Sequence, residues 1–405
     1  MTYRELIELY KSGKLEDGQK DKVKNDIERH VAISEYLFDE SEIPGIEDLE
    51  IDNLKNKLSG NDFMDNQDEE ALEFTKMIKS SIRKAFIKMG VTVGVIVLAI
   101  VMFVIFAMPK ILDSIYYDPS ETVGEEENLA TNRISLDLAI YSELFLPGYY
   151  REAVIVDGNG YGNYDINILQ GSSYNDLFTN VAGKVEKGKM TLYDANLLKR
   201  PPGNSFVPEY PELQTMYQSV GPAGSYSEAM EKLQNLDEND YYLAYVTLGE
   251  VKNYQVFVDW CKKTGIDPKW CAICLKNDDG YFLKDMSAGF LYSTSCTDLY
   301  YDKDTYPYLS IYDTLNTTRE DEDWVVSEEV MTTHVVSMLE YMSKQTEFNK
   351  MIGSGFVTDS YLQMADNVAS HGLNIYGFAV VAQKSTLLKI SEAEDVAYIY
   401  TKPMN

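Results

Sequence analysis

Met89 to Pro109 is a run of 21 residues without one Asp, Glu, Lys or Arg, in a 405-residue chain that is otherwise a quarter charged. At 1.5 Å per residue, an α-helix of about 20 residues reaches roughly 30 Å, the thickness of a bilayer's hydrocarbon core. A helix buried in a water-soluble core keeps a polar stripe, whereas this run is apolar on every face. The sequence therefore predicts one transmembrane helix over 89–108 and divides the chain into two water-exposed parts. With 88 residues before it, the run does not read as a cleaved leader.

The flanks orient it. Lys76, Lys79, Arg83, Lys84 and Lys88 crowd the N-terminal side, whereas Lys110 is followed by Asp113, Asp118, Glu121, Glu125, Glu126 and Glu127. Positive charge stays on the cytoplasmic side, so the expectation is a single-pass protein of the cell membrane with its N-terminus cytoplasmic and its C-terminal domain extracytoplasmic. Both parts are acidic: residues 1–88 hold 14 Lys+Arg against 21 Asp+Glu, and residues 109–405 hold 22 against 44. Without a clustered basic surface, direct nucleic-acid binding is disfavoured, and the one basic run suits the anionic head groups of the lipid bilayer.

All four cysteines, Cys261, Cys271, Cys274 and Cys296, follow the apolar run. In an oxidising compartment they are candidates for one or two disulfides, two bridges having three connectivities that spacing does not separate, with free buried thiols as an alternative. Cys271-Ala-Ile-Cys274 also has zinc-ligand spacing. The segment reads as a buried strand, however, on which positions i and i+3 face opposite ways.

Residues 1–40 form a small all-α module. Tyr3 to Lys11 places Leu6, Leu9 and Tyr10 together, Gly13 breaks the pattern, and a second helix starts near Leu15 and carries Val23, Ile27, Val31 and Leu37 at helical spacing. Forty residues bury little surface, so a partner would stabilise such a pair. Residues 41–88 read as an acidic tether, with at most a short helix around Leu49 to Leu58, followed by the basic juxtamembrane segment.

After the apolar run, Arg151 to Asp157 and Asn163 to Gln170 read as a hairpin in a juxtamembrane region spanning 109–198. Gly158, Gly160 and Gly162 belong to its turn, because a strand rather than a helix follows them. Residues 199–225 hold five of the twelve prolines and read as a linker or loop. Residues 226–405 alternate in type. Helices are expected at Tyr226–Leu236, Val251–Lys263, Glu328–Met342, Tyr361–His371 and Lys384–Leu388. Strands are expected at Tyr241–Leu248, Trp270–Leu275, Gly289–Tyr292, Ile375–Ala382 and Val396–Tyr400. The fold class expected of this part is α+β or α/β.

The segment "YRELIELYKSGKLEDGQKDKVKNDIERHVAISEYLFDE" resembles the N-terminal module of the membrane-anchored anti-sigma factors of Gram-positive bacteria, the sigma factor regulator family. "GYGNYDINILQ" is similar to the part that follows the span in that family. "EAMEKLQNLDENDYYLAYVTLGEVKNYQVFVDW", "HVVSMLEYMSKQTEF" and "HGLNIYGFAVVAQKSTLLKI" look like successive blocks of its C-terminal domain. The resemblance implies that the module sequesters an extracytoplasmic-function sigma factor at the membrane and that an envelope signal releases it. Release by proteolysis, by a conformational shift or by a small membrane partner or envelope ligand all stay open. Leu6, Leu9, Tyr10, Leu15, Val23, Ile27, Val31 and Leu37 are then candidates for the sigma-binding face, some of them serving as the module's own core. Related modules hold zinc through His-x3-Cys-x2-Cys. Here His30 is kept but Ser34 and Leu37 stand at the thiolate positions, and one ligand of three cannot hold the metal.

No cofactor and no catalytic residue is expected. His334 and His371 fall within or at the end of helix patterns, and no Walker loop, Gly-x-Ser-x-Gly or His-Glu-x-x-His occurs. Two other classes of function compete with the regulator. One is an extracytoplasmic receptor or adhesion module with a passive cytoplasmic anchor, to which the tyrosines around 300–312 would suit a sugar or peptide. The other is a surface hydrolase acting through an acidic pair, which would need a cleft with two adjacent carboxylates.

Overall fold

The computed structural model describes residues 3–37, 67–126, 129–172, 178–194, 197–201, 205–206, 221–276, 287–292, 299–311 and 326–404. The expected helix around Leu49 to Leu58, Cys296 and positions 202–204 and 207–220 of the Pro-rich stretch lie outside these. The chain divides into two compact units, Met1–Met102 and Phe103–Asn405.

In the first unit, α1 (Tyr3–Lys11) packs against α2 (Asp17–Leu37) across a turn in which Gly13 takes φ +68°, a left-handed conformation glycine adopts without strain. Helix α3 (Gln67–Met102) follows. It passes through a π-helical turn (Phe103–Ala107) into α4 (Met108–Ile115), so that Lys76–Ile115 is one helix of 40 residues. Among the described residues nothing covers its most apolar window, and by length and composition it can cross a membrane.

The second unit is an α+β body whose described strands all pair antiparallel, which sets aside the α/β alternative. A two-stranded ribbon, β1 (Thr122–Glu126) with β2 (Leu129–Asn132), precedes helix α5 (Arg133–Phe145). Strands β3 (Tyr149–Gly160), β4 (Asn163–Ser172), β5 (Phe178–Glu186) and β6 (Lys189–Leu192) form a four-stranded meander. The hairpin expected between Arg151 and Gln170 is its first turn.

Helix α6 (Tyr226–Gln234) opens with a capping box, in which Ser225 and Glu228 each bond the other's backbone N–H. There follow β7 (Tyr241–Asn253), α7 (Tyr254–Thr264), β8 (Trp270–Ile273) and β9 (Gly289–Leu291), then helices α8 (Glu328–Lys344), α9 (Thr346–Ile352) and α10 (Thr358–His371). Strand β10 (Asn374–Gln383), helix α11 (Lys384–Ser391) and strand β11 (Val396–Pro403) complete the body. The five-stranded sheet runs β11-β7-β10-β8-β9.

That sheet is buried on both faces, which explains the nearly unbroken apolar runs of β7 and β10. On β7, Tyr242, Ala244, Val246 and Leu248 join the main core, while Leu243 and Tyr245 point to an aromatic layer with Phe206, Trp270 and Tyr376. The main core also takes Val154, Ile166, Ile168 and Val185 from the four-stranded sheet. One core therefore joins residues from both sides of the Pro-rich stretch. Gly377 is required where the layers meet, since a Cβ there would stand 2.6 Å from the Phe206 ring and 2.7 Å from the Val246 carbonyl.

The cysteines depart from expectation. Cys261, Cys271 and Cys274 are free and buried, so the two-disulfide scheme, which needs all four, does not form. Cys271 on β8 lies in the main core, and Cys274, just past the end of that strand, lies in the aromatic layer on the other side of the sheet. Burial pushes the Cys261 thiol up to about 12 and Cys274 to about 11, and holds Cys271 well above the ordinary range, so little thiolate is present at neutral pH. Alkylation without reductant should leave these three untouched in the folded chain and modify all three once it is denatured. A requirement for prior reduction would contradict the free-thiol arrangement.

Candidate functional site

Two groups of residues stand out, one in each unit. In the first unit, Val23 is the one buried residue among those described, at 4% exposure. Leu6, Leu9, Tyr10 and Leu15 are half-buried around the α1–α2 contact, together with Ile7, which the spacing argument passed over. These five and Val23 make up the module's own small core. Ile27 and Val31 lie one and two turns beyond Val23 on the same stripe of α2, yet are 38% and 52% exposed. The stripe outruns α1, which ends at Lys11. Leu37 closes α2, and its side chain lies outside the described residues. His30 is exposed.

The second group is a polar cluster inside the body, built on α5. Sequence spacing did not mark this helix. Asn132 caps it by accepting from the Ser135 N–H at 3.0 Å. From Ile134 to Phe145 every residue is buried, the acidic ones included. Helix α5 packs on β3 of one sheet, β9 of the other and helix α8, so its two carboxylates meet protein on all sides.

Asp137 accepts hydrogen bonds from two tyrosines, Tyr117 Oη to Oδ2 at 2.7 Å and Tyr341 Oη to Oδ1 at 2.6 Å. Arg133, one turn earlier, stands 3.9 Å away, lies over the Tyr117 ring and reaches Glu121 at 3.1 Å. Desolvation outweighs these favourable partners and pushes the Asp137 carboxyl up to about 6. Both tyrosines are held well above their ordinary range, by burial first and then by the carboxylate beside them.

Glu143, two turns further along α5, pairs with His334 of α8: Oε1 lies 2.9 Å from Nε2. The other ring nitrogen is 2.7 Å from the Tyr308 carbonyl, which can only accept, so Nδ1 carries a proton. Tyr308 has φ +56°, a left-handed conformation unusual for a residue with a side chain. Ser337, one turn on from His334, donates to the Pro307 carbonyl at 2.6 Å, so a single face of α8 holds the 307–308 loop. The Trp270 indole N–H donates to the Glu143 carbonyl at 2.7 Å, tying α5 to β8.

Chemically, the cluster is a lock. Asp137 is 0% and Glu143 1% exposed, so each carboxylate faces protein partners and neither faces solvent. His334 is fully buried with both nitrogens engaged. His371 ends α10 on the surface, with Nδ1 3.0 Å from the Asn367 carbonyl. Asp137 and Glu143 were missed by sequence reasoning; the one signal available was a pair of acidic residues inside a 13-residue apolar segment behind an Asn cap. The chain matches no family model, and neither a curated protein nor a solved structure is similar to it.

Proposed function

We propose that the chain is a single-pass membrane anti-sigma factor. The α1–α2 module holds an extracytoplasmic-function sigma factor in the cytoplasm, the apolar helix anchors it, and the acidic body on the other side receives an envelope signal that weakens the hold. One observation carries the reading furthest: the stripe Val23, Ile27, Val31, whose first member closes the module's core and whose next two lie open. A helix in water leaves consecutive stripe positions uncovered when another helix is to cover them. The order of sequence blocks resembling the sigma factor regulator family supplies the identity of that partner, and the basic run before the helix supports the orientation. Binding energy comes from apolar burial, and control from a body whose state biases the module through the helix.

The full-length protein in detergent should retain one extracytoplasmic-function sigma factor of its own cell. Ile27→Asp with Val31→Asp should weaken that capture at least tenfold while leaving helix content unchanged, because both side chains are exposed in the free module. Undiminished capture would move the interface elsewhere. If no sigma factor is retained and deleting the gene leaves every sigma regulon unchanged, the reading fails.

A further inference from the structure

The π-helical turn Phe103–Ala107 sits just before Pro109. In that register each carbonyl accepts from the N–H five residues on, and the position five residues after Val104 is Pro109, which has no N–H. In that register the Val104 carbonyl has no donor five residues on, and it lies within the apolar run. In water the solvent would supply the bond. In hydrocarbon, only another protein group can.

The Tyr161 hydroxyl supplies it, donating to the Val104 carbonyl at 2.8 Å. Tyr161 is the tip of the β3–β4 turn and has φ +57°, between Gly160 at +76° and Gly162 at +72°. Three consecutive left-handed residues make a tight tip, and the one that bears a side chain is the one that reaches the helix. A second tie lies further along: Asp113 Oδ1 accepts the Gly162 N–H at 2.7 Å. The Tyr116 ring covers Gly162 so closely that a Cβ there would meet it at 3.0 Å. The neighbouring β5–β6 turn joins the same tip through the Lys187 N–H, 2.7 Å from the Gly162 carbonyl. Val104 and Asp113 are nine residues apart, about 14 Å along a helix, so the tip lies beside two and a half turns. Around the clasp Phe103, Ile105 and Phe106 stay more than half exposed, as side chains facing lipid do.

We propose that the β3–β4 tip is a membrane-interface clasp. Tyr161 enters the lipid headgroup layer on the side where the body lies, closes the carbonyl that Pro109 leaves open, and so fastens the four-stranded sheet to the end of the membrane helix. The inference rests on the reading that the helix crosses the bilayer, and it names the physical link through which the body's state reaches that helix. A tyrosine suits this depth, its ring among the acyl chains and its hydroxyl bonded.

The test uses the full-length chain in phosphatidylcholine–phosphatidylglycerol bilayers. The indole introduced by Tyr161→Trp should be quenched by lipids brominated near the headgroup more than by lipids brominated deep in the chain, with the native chain as background. Hydrogen exchange then reads the bond itself. Tyr161→Phe should speed exchange of the Lys110 to Leu112 and Gly162 amides roughly fivefold. Pro109→Ala restores an N–H for Val104, so in the double variant the effect of Tyr161→Phe should fall below about twofold. Exchange unchanged by Tyr161→Phe, or an effect as large in the Pro109→Ala background as in the native one, would overturn the clasp. Flotation with liposomes separates the two readings. A Tyr161→Trp chain that floats but leaves the introduced indole unquenched overturns the clasp alone; a chain that does not float overturns the span and the clasp together.

Discussion

Replacing His334 with Leu should cost the body about 3–5 kcal/mol, the largest loss expected from one side chain on its polar cluster. The variant strips the enclosed Glu143 side chain of the imidazole at 2.9 Å and leaves the Tyr308 carbonyl without that donor. Glu143→Gln should cost far less, about 1–2 kcal/mol, because the side-chain amide can still hydrogen-bond Nε2, its N–H donating to the ring nitrogen. The double variant Glu143→Leu with His334→Leu should be less destabilised than Glu143→Leu and His334→Leu summed, since removing both partners leaves neither polar side chain facing an apolar one. Thermal melting of the full chain in detergent, followed by near-ultraviolet circular dichroism of the body's tyrosines and tryptophans, measures the native protein and the four variants. Equal, small losses would mean that the pair holds nothing in place.

Raising the pH through about 6 should destabilise the body, and Asp137→Asn should abolish that dependence. In the folded chain burial lifts the Asp137 carboxyl to about 6, whereas an unfolded chain returns it to about 4. A group whose folded value is raised holds its proton more firmly in the folded state. Its contribution is complete below about pH 4 and is lost as the pH climbs past 6, on the order of 3 kcal/mol in all. Tyr117, Tyr341 and Arg133 face the carboxyl, and Glu121 lies near enough to add a little to the rise. Arg133 and the two tyrosines keep one charge state across this window, so the difference between the native chain and the Asn variant from about pH 4 to 8 isolates Asp137. Asparagine keeps the shape, with its amide oxygen accepting from one tyrosine and its amide donating to the other. Identical pH profiles for the two proteins would contradict a buried proton at this site.

The two carboxylates, Asp137 and Glu143, sit on α5, the helix that periodicity did not reveal. Helices α8 and α10 show one apolar and one polar face, and β7 and β10 are long apolar runs bounded by turn residues, so pattern reading locates them to within a few residues. "RISLDLAIYSELF" has no such stripe, because β3, β9 and α8 surround it and its polar residues point at protein rather than water. Strand β5 was hidden for the opposite reason: most of its residues are exposed, so alternation is faint. His334 was legible as a helix residue. Its carboxylate lies 191 positions earlier, and no local pattern carries a contact at that range. The cysteines illustrate a different limit. Their placement after the apolar run argues for disulfides by compartment, while strand geometry puts Cys271 and Cys274 on opposite faces, and geometry decided. In the N-terminal module helical spacing grouped eight residues as one apolar set. It could not tell core from open face, because that depends on where α1 stops along α2.

The proposed division of labour across the bilayer is tested most directly by single cysteines placed at Lys20 on α2 and at Lys189 on β6, both exposed positions, in the full-length chain. A membrane-impermeant maleimide is applied to intact wall-stripped cells, with the native protein as blank. Position 189 should be labelled at once and position 20 only after lysis. Labelling of both positions before lysis, or of position 20 alone, would contradict a helix that carries the module inside and the body outside.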